Sequence, residues 1–258
     1  MSFHSSAIIN PGAEIADDVE IGPFTVVEDD VRIAAGCKIG SHVLLAAGTR
    51  LAKGCIIHHG AVLGTRPQDL KFKGEKTTLE IGENTTVREY ATLNRGTTDH
   101  WKTVIGSNCL LMAYSHVAHD CSIGNNTIIA NSVNMAGHVS VGDFVGIGGL
   151  VPIHQFVKIG SHCFIAGGCK VPKDIPPYIL ALGEPIRYGG LNVIGLRRRG
   201  FTPETMHQIK KAYRFLFQSK LLLKEALQKI EDELPPGPEI QYILSFIKSC
   251  ERGVIRKT

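Results

Sequence analysis

Two histidines and an aspartate fall within one short segment, the stretch SHVAHDC of residues 115–121. Asp120 directly follows His119, and a carboxylate beside an imidazole can fix its tautomer and stabilise the imidazolium, so that the histidine acts as a general base. Two other interpretations stay open on spacing alone. The pair could be an ordinary surface contact, or His116, His119 and His138 could bind a zinc ion.

Two further segments carry side chains that suit polar or phosphorylated ligands. Gln68, Asp69 and Lys71 place an amide, a carboxylate and an ammonium group close together in the chain. Such a set can hydrogen-bond hydroxyl groups and contact a phosphate or a carbonyl. Residues 197–199 are three consecutive arginines, whose planar guanidinium groups match phosphate geometry. On the residues alone, a solvated loop is the favoured interpretation of the first segment, and an ordinary basic surface patch stays open for the second.

An internal repeat of six residues organises most of the chain. In steps of six from Ile9 to Val171, every position is aliphatic or Met except Asp69, Glu75 and Asp99. No amphipathic helix has this period, because its apolar stripe recurs at three and four residues. An even period fits short strands whose side chains alternate between two faces. We therefore predict a solenoid of triangular coils, with three hexads in each coil and the aliphatic residue inside.

This geometry brings distant candidate residues together. One coil separates His119 from His138, and His154 and Gln155 follow about one coil later, so stacked coils should form a near column of imidazoles. None of these histidines occupies the aliphatic register, so we expect them outside the prism or at its corners.

A second register, two residues before each aliphatic position, holds mostly small or β-branched residues. Free cysteine behaves as a small buried hydrophobe, so we predict core packing rather than disulfide or metal binding for the cysteines of this register. These cysteines are Cys37, Cys55, Cys109, Cys121, Cys163 and Cys169.

The repeat also indicates where the chain leaves the solenoid. The three exceptions lie in polar segments, near residues 65–78 and 96–102, which we predict to be loops. After Val171 the register stops, and several prolines indicate an irregular passage. We predict a β-helical domain over residues 1–190 and a helical domain over residues 191–258.

The C-terminal domain shows helical periodicity. Thr202 is a predicted N-cap, with a proline at the first helical position and apolar residues at spacings of three and four. A second helix is predicted over Leu221–Leu234 and a third near Ile240–Ile247, separated by the sequence PPGP. These helices should cover the open last coil of the solenoid.

Composition excludes several classes of protein. Hydrophobic residues make up 43% of the chain and charged residues 20%, so wholesale disorder is excluded. The net charge of +4 is too small to indicate nucleic-acid binding by itself, although it suits an acidic partner. No secretory signal and no long apolar segment is visible, so we expect a soluble cytoplasmic protein without an integral membrane segment.

The motifs resemble those of a known enzyme family. The repeat is similar to that of the hexapeptide transferases, whose fold is a left-handed parallel β-helix, and the handedness rests on this resemblance. The strings PQDLKF, SHVAHDC, AGHVSV, HQF, DIPPY and LRRRGF occur in the order and spacing of the UDP-N-acetylglucosamine O-acyltransferases. This resemblance, which spans nearly the whole chain, implies the first step of lipid A biosynthesis.

The resemblance implies transfer of an acyl or 3-hydroxyacyl chain from acyl carrier protein to the glucosamine 3-position of UDP-N-acetylglucosamine. It implies that His119 is the general base, that Asp120 orients it, and that the Gly137 N–H binds the oxyanion. It also implies a homotrimer with each cleft between two neighbouring solenoids, and no metal or free cofactor. The substrate-binding residues that it implies are Gln68, Asp69, Lys71, His116, His138, His154, Gln155, Asn192, Arg198 and Arg199.

Three positions depart from the family pattern. Asn94 and Pro185 stand where a histidine is common, and Ile194 stands where a carboxylate is common. These departures leave open whether the acceptor sugar carries a hydroxyl or an amine at carbon 3. The acyl chain length is also open, and residues 167–170 are our predicted ruler for it.

Three other functions are compatible with the repeat. A related N-acyltransferase would carry an added N-terminal uridine-binding domain, whereas the hexads here begin near Ala7. A zinc lyase of the γ-carbonic anhydrase type would use His116, His119 and His138, but it would leave the PQDLK and RRRG segments without a role. A non-enzymatic scaffold would explain the repeat and not the histidines.

Overall fold

Short strands at six-residue intervals build a triangular solenoid. The structure is a computed structural model, and it describes residues 2–255. Most strands contain two residues, the first facing outward and the second facing inward, as in Glu20–Ile21 and Lys38–Ile39. Each strand pairs in parallel with the equivalent strand of the next coil, so three sheets form the three faces of the prism.

The first sheet runs the length of the solenoid and ends in the only antiparallel pair among the described residues. Its strands, in order, are β1 (Ser2–Phe3), β4 (Glu20–Ile21), β7 (Lys38–Ile39), β10 (Ile56–Ile57), β13 (Thr86–Val87), β16 (Leu110–Leu111), β19 (Ile128–Ile129), β22 (Gly146–Ile147), β25 (Phe164–Ile165), β26 (Ile179–Leu182) and β27 (Arg187–Leu191).

The other two sheets have eight strands each. The second contains β2 (Ile8–Ile9), β5 (Val26–Val27), β8 (Leu44–Leu45), β11 (Val62–Thr65), β14 (Thr92–Asn94), β17 (His116–Val117), β20 (Asn134–Met135) and β23 (Pro152–Ile153). The third contains β3 (Glu14–Ile15), β6 (Arg32–Ile33), β9 (Thr49–Leu51), β12 (Thr78–Ile81), β15 (Lys102–Ile105), β18 (Ser122–Ile123), β21 (Ser140–Val141) and β24 (Lys158–Ile159).

The core follows the two sequence registers. From Ile21 to Val171 the aliphatic residues of the first register are buried, while Ile9 and Ile15 at the open N-terminal end are only partly buried. The six cysteines of the second register are buried and unpaired, as predicted. This continuous interior fixes the position of every outward side chain.

The outward faces differ in chemistry. The third sheet carries charged pairs between successive coils, including Arg32 with Glu14 at 3.1 Å and Lys102 with Glu80 at 3.1 Å. The second sheet instead presents an apolar row in its N-terminal half. This row is Ile8, Val26, Leu44 and Val62. The charged third sheet is therefore the face best suited to water.

The chain leaves the solenoid twice. Residues 66–77 connect β11 to β12, and residues 95–101 connect β14 to β15. Neither excursion breaks the stacking, because β11 still pairs with β14 and β12 with β15. The division of the chain into domains at residue 190 stays a prediction.

The passage after Val171 is more regular than predicted. β26 adds to the first sheet in parallel with β25, and β27 turns back against it. A short helix, α1 (Val193–Arg198), then precedes the first helix predicted from sequence, and the Asn192 side chain caps it by accepting from the Gly195 N–H. Prolines and glycines concealed both features from sequence reasoning.

Three longer helices complete the C-terminal part. They are α2 (Pro203–Gln218), α3 (Leu223–Glu233) and α4 (Pro238–Lys248). The predicted cap at Thr202 is present, since its side chain accepts from the Thr205 N–H. Tyr213 of α2 is fully buried and donates to the Pro177 carbonyl at 2.6 Å, and the Tyr242 hydroxyl of α4 accepts from the Ser161 N–H at 3.0 Å. The helices are thus anchored on the last coils of the solenoid.

Substitutions at the two neighbouring residues of β18, Ser122 and Ile123, should distinguish the surface of the solenoid from its core. We expect Ile123→Ala to lower the free energy of unfolding by about 2–5 kcal/mol, because it leaves a cavity in the prism interior. Ser122→Ala, one residue away on the exposed face of the same strand, should change it by less than about 0.5 kcal/mol. Chemical denaturation of both variants measures the difference, and equal effects would contradict the assigned interior.

Candidate active site

His119 and Asp120 form a buried pair at a corner of the prism, between β17 and β18. His119 Nδ1 and Asp120 Oδ2 are 2.7 Å apart, with the imidazole and the carboxylate almost completely covered. Asp120 has a positive φ of 58°, the corner conformation that turns the chain from one sheet to the next. The Asp120 N–H donates to Thr103 Oγ1 at 2.9 Å, which fixes the backbone of the corner.

The second excursion covers this pair. The Thr97 N–H donates to Asp120 Oδ1 at 2.8 Å, and the Thr97 hydroxyl donates to Asp120 Oδ2 at 2.7 Å. The His100 N–H also approaches Oδ1, at 3.3 Å. Sequence reasoning missed Thr97 because nothing in its spacing shows that residues 95–101 fold back over the corner.

These contacts determine the ionisation of Asp120. Burial favours the neutral acid, but the hydrogen bonds from His119 and Thr97 together outweigh it, so the pKa of Asp120 lies below its ordinary value. The carboxylate is therefore ionised at neutral pH. An ionised Asp120 accepts from the Nδ1–H of His119, which favours the tautomer whose Nε2 carries no proton.

The next coil places Gly137 and His138 against this imidazole. A Cβ on Gly137 would lie 2.7 Å from His119 Cε1 and 2.8 Å from Nε2, so only glycine allows the backbone to approach this edge of the ring. Within residues 2–255 the Gly137 N–H donates no hydrogen bond. The Gly137 backbone therefore lies against the edge of the His119 ring that carries Nε2.

His138 is held at the same corner. Its N–H donates to the His119 carbonyl at 3.0 Å, and its ring meets the His119 ring edge-on at a centroid distance of 5.1 Å. Burial lowers the pKa of His138, and the carboxylate of Asp120 only partly opposes that effect. Asp99 Oδ2 lies 3.7 Å from His138 Nε2.

The other two predicted histidines lie further out. His116, on β17, pairs its Nδ1 with Thr92 Oγ1 at 2.8 Å, and burial lowers its pKa. His154 is exposed, and its Nδ1 contacts the carbonyl of Gln155. The expected imidazole column therefore stops after two rings, because the ring stacked on His138, at 4.6 Å, is that of Phe156.

The first excursion is anchored at its base and open at its tip. The guanidinium groups of Arg66 and Arg95 lie 5.6 and 5.5 Å from the centre of the Phe72 ring. Gln68 and Lys71 are exposed, and Leu70 has a completely exposed side chain. The Asp69 carboxylate accepts from the Lys71 N–H at 2.9 Å, and the Asp69 carbonyl accepts from the Phe72 N–H at 3.1 Å, so Asp69 is held by contacts within its own segment.

Asn192, Arg198 and Arg199 lie together elsewhere, around an apolar groove of about 830 Å³ on the first sheet. The Asn192 amide donates to the His162 carbonyl at 2.9 Å, and the Arg199 guanidinium lies 4.9 Å from the centre of the Phe144 ring. His162 stacks between Phe144 and the Tyr178 ring, and its burial lowers its pKa to about 4. One chain thus presents the predicted residues in separate groups.

Known proteins match this chain over its whole length. The family model described as Udp N-acetylglucosamine O-acyltransferase, domain 2, matches residues 174–255, and the bacterial transferase hexapeptide model matches residues 12–47 and 102–137. The acyl-[acyl-carrier-protein]--UDP-N-acetylglucosamine O-acyltransferase of Trichlorobacter lovleyi is 54% identical, with 99% of this chain and 100% of that protein covered. The chain belongs to the UDP-N-acetylglucosamine O-acyltransferase family.

Further relatives agree with this assignment and confirm the predicted fold. The enzyme of the same name from Aquifex aeolicus is 56% identical, with 99% of this chain and 98% of that protein covered. The crystal structure of a UDP-N-acetylglucosamine acyltransferase from Bacteroides fragilis superposes with a TM-score of 0.97 at 48% identity, covering 98% of this chain and 99% of that one. The left-handed parallel β-helix with a small helical C-terminal part is therefore confirmed.

The three departures from the family pattern occupy different environments. Asn94 is buried and donates to Thr65 Oγ1 and the Arg66 carbonyl, at 3.0 and 3.1 Å, so it fixes the start of the first excursion. Ile194 is exposed and lines the apolar groove. Pro185 is exposed in the turn between β26 and β27.

The metal set considered from sequence differs from the one in the structure. His119, Asp120 and His138 bring one ligand atom each within 4.8 Å of one another, and His116 lies outside that group. Within it, Asp120 Oδ2 already accepts from His119 and Thr97. The absence of a metal from the chemistry stays a prediction.

The Thr97 hydroxyl should contribute to stability through the charge of Asp120. The pKa of Asp120 is lower in the folded protein than in the unfolded chain, where it has its ordinary value of about 3.9. The ionised carboxylate therefore stabilises the fold fully above pH of about 3.9, and this stabilisation is lost as the pH falls through the lower pKa of the folded protein. Thr97→Val should therefore lower the free energy of unfolding by about 1.5–3 kcal/mol at pH 7, and by progressively less below pH of about 3.9. Denaturation at several pH values measures this, with the exposed neighbour Thr98→Val as control. A pH-independent loss would contradict the assignment.

Proposed function

We propose that this protein transfers an acyl chain from the thioester of acyl carrier protein to the 3-position of UDP-N-acetylglucosamine, with His119 as general base. The observation that carries the proposal is the approach of the Gly137 backbone to the edge of the ring with His119 Nε2, while the Asp120 carboxylate binds Nδ1 on the other side. The two substrates, acyl carrier protein and UDP-N-acetylglucosamine, are those named for the relatives that match over their full length.

The proposed reaction proceeds without a covalent enzyme intermediate. His119 Nε2 takes the proton of the sugar 3-hydroxyl as its oxygen forms a bond to the thioester carbonyl carbon. The Gly137 N–H stabilises the oxyanion of the tetrahedral intermediate. When the carbon–sulfur bond breaks, the imidazolium returns the proton to the phosphopantetheine sulfur, which leaves an ester and a thiol.

Asp120 has a supporting role in this reaction. Its charge holds the His119 tautomer that leaves Nε2 free, and it stabilises the imidazolium that forms when the sugar proton arrives. Thr97 keeps the carboxylate ionised in its buried position. Because a thioester is already activated, we propose that the chemistry needs no metal and no cofactor.

We propose that the remaining site residues bind the two substrates. Gln68, Asp69, Lys71 and His116 would hold the sugar and its surroundings, and His138, His154 and Gln155 would line the cleft. Asn192, Arg198 and Arg199 would contact the diphosphate and the phosphopantetheine, since arginine favours phosphate. The basic residues 197–199 also suit an acidic carrier protein.

A homotrimer would complete each cleft. His119 lies at the corner that follows the second sheet, whereas the groove with Asn192 and Arg199 lies on the first sheet of the same chain. A threefold arrangement would place the first sheet of one copy against that corner of the next. The apolar outward row of the second sheet supports this assembly, because such rows are usually covered, while the charged third sheet would stay solvated.

The proposed location is the cytoplasm. The buried cysteines are unpaired, which suits a reducing compartment. Among residues 2–255, no helix combines the length and hydropathy that a membrane span requires.

His119 can be tested with a volume-conserving change. In an assay with UDP-N-acetylglucosamine, its 3-amino analogue and acyl carrier proteins of several chain lengths, we expect the wild type to acylate the hydroxyl. His119→Gln should lower kcat by about 10²–10⁴-fold because the base is lost, and Asp120→Asn should lower it less. His207→Gln, an exposed histidine on α2, is the control. Full activity of His119→Gln would exclude His119 as the base.

The shared cleft predicts complementation between two inactive variants. When His119→Gln and Arg199→Ala chains are unfolded and refolded together in equal amounts, a quarter of the clefts would combine both native residues, so about a quarter of wild-type activity should return. Refolding each variant alone should return none. If the mixtures sediment as trimers and recover no activity, His119 and Arg199 of one active site must come from the same chain.

A further inference from the structure

His162 is a half-buried histidine that the proposed reaction does not use. It lies at the corner between β24 and β25 with a positive φ of 62°, and Phe144 and Tyr178 occupy the same corner in the neighbouring coils. Its ring stacks on Phe144 at a centroid distance of 5.0 Å and an interplanar angle of 14°. It stacks on Tyr178 at 5.6 Å and 18°. A histidine is thus the middle ring of an aromatic stack.

The imidazole of His162 packs as a neutral ring. Its Nδ1 is buried and has no hydrogen-bond partner among residues 2–255. Burial, and to a smaller extent the positive charge of Arg199, lowers the pKa of His162 to about 4, so the ring carries no charge at neutral pH. This neutrality matters because a cation at this corner would repel the Arg199 guanidinium.

The stack leads to the side chain of Arg199. The centre of its guanidinium lies 4.9 Å from the centre of the Phe144 ring, which is within the range of cation–π attraction. One guanidinium nitrogen also donates to the Gly195 carbonyl at 3.1 Å. Because His162 packs on the ring that holds the guanidinium, the orientation of Arg199 depends on His162 although the two residues form no hydrogen bond.

The backbone of His162 fixes a second polar side chain. Its carbonyl accepts from the Asn192 amide at 2.9 Å, and the same Asn192 side chain accepts from the Gly195 N–H at 3.2 Å at the start of α1. A Cβ on Gly195 would lie 2.9 Å from an Arg199 guanidinium nitrogen and would also meet the Asn192 amide. Asn192 and Arg199 therefore lie against one glycine as a single unit, and His162 contacts this unit through its carbonyl and through Phe144.

We propose that His162 is a positioning residue for the nucleoside diphosphate, which fixes Asn192 by its carbonyl and holds Phe144 against Arg199 by its neutral ring. This inference rests on the proposed function, which assigns Asn192 and Arg199 to the diphosphate. His162 would not touch the ligand. It would order the guanidinium before the ligand arrives, so that binding costs less side-chain entropy.

Calorimetric titration with UDP-N-acetylglucosamine, without an acyl donor, tests His162 apart from acyl transfer. His162→Leu removes the flat ring and keeps the carbonyl, and it should raise Kd about 10-fold. Leucine suits this backbone, since Leu150 has a φ of 59° at another corner. His162→Phe keeps a neutral ring and should bind within about twofold of the wild type.

The matched control is the same substitution at a different corner. His42 has a positive φ of 55°, and its ring packs on Phe24 at a centroid distance of 5.0 Å. His42→Leu should therefore disturb a similar ring contact and leave the Kd for UDP-N-acetylglucosamine at the wild-type value.

A double-mutant cycle separates positioning from a general structural role. Since the ring of His162 acts through Arg199, adding His162→Leu to Arg199→Ala should raise Kd by less than about twofold beyond Arg199→Ala alone. In transfer assays, His162→Leu should raise the KM for UDP-N-acetylglucosamine about 10-fold and leave kcat within about twofold of the wild type. Full additivity of the two substitutions would contradict the proposal.

The remaining outcomes distinguish this inference from the proposed function. If Arg199→Ala weakens binding while His162→Leu binds as the wild type does, Arg199 keeps its role and His162 loses it. A loss in His162→Phe as large as in His162→Leu also overturns the inference, because an imidazole nitrogen rather than a neutral ring would then be required. If His162→Leu does not fold, His162→Met replaces it in every comparison. If the wild type does not bind UDP-N-acetylglucosamine, the proposed function and this inference fail together.

Discussion

The hydrogen bonds between successive coils are the constraint on which the rest of the structure depends. They hold each residue above its counterpart in the preceding coil, so that the His138 N–H binds the His119 carbonyl and Gly137 faces the His119 ring. A corner assembled this way needs no flexible loop to position the His119 imidazole, because the solenoid interior fixes the backbone on both sides. The buried aliphatic register is therefore what gives the site its geometry.

The two excursions add what the repeat cannot supply. A hexad offers one outward side chain for each strand, which is too little to surround a buried carboxylate. Residues 95–101 return over the corner and provide three of the donors around Asp120, two from Thr97 and one from His100. Since β14 still pairs with β17 and β12 with β15, these contacts cost nothing in the core. Insertions between hexads thus add polar contacts to a scaffold whose register they leave intact.

Much of this architecture follows from periodicity, because a regular interior imposes regular residue choice. The inward aliphatic positions, the cysteines beside them and the Thr202 cap all have local causes that a single sequence displays. The contacts of Thr97 and Phe156 have no such local signal. Thr97 reaches Asp120 because a loop folds back over the corner. Phe156 stacks on the His138 ring, where His154 was expected. The helix α1 was hidden for a related reason, since only the contact of the Asn192 side chain with the Gly195 N–H shows where it starts.

A hexapeptide solenoid separates stability from specificity by position. The inward residue of each strand contributes to the core, while its outward neighbour is free to vary without leaving a cavity. Gly146 and Phe164 illustrate this separation, because their inward neighbours Ile147 and Ile165 are buried in the ordinary way. Side-chain bulk at outward positions of adjacent coils can therefore change while the fold is kept. One repeat thus provides both a rigid backbone support for His119 and Asp120 and outward positions whose residues can vary.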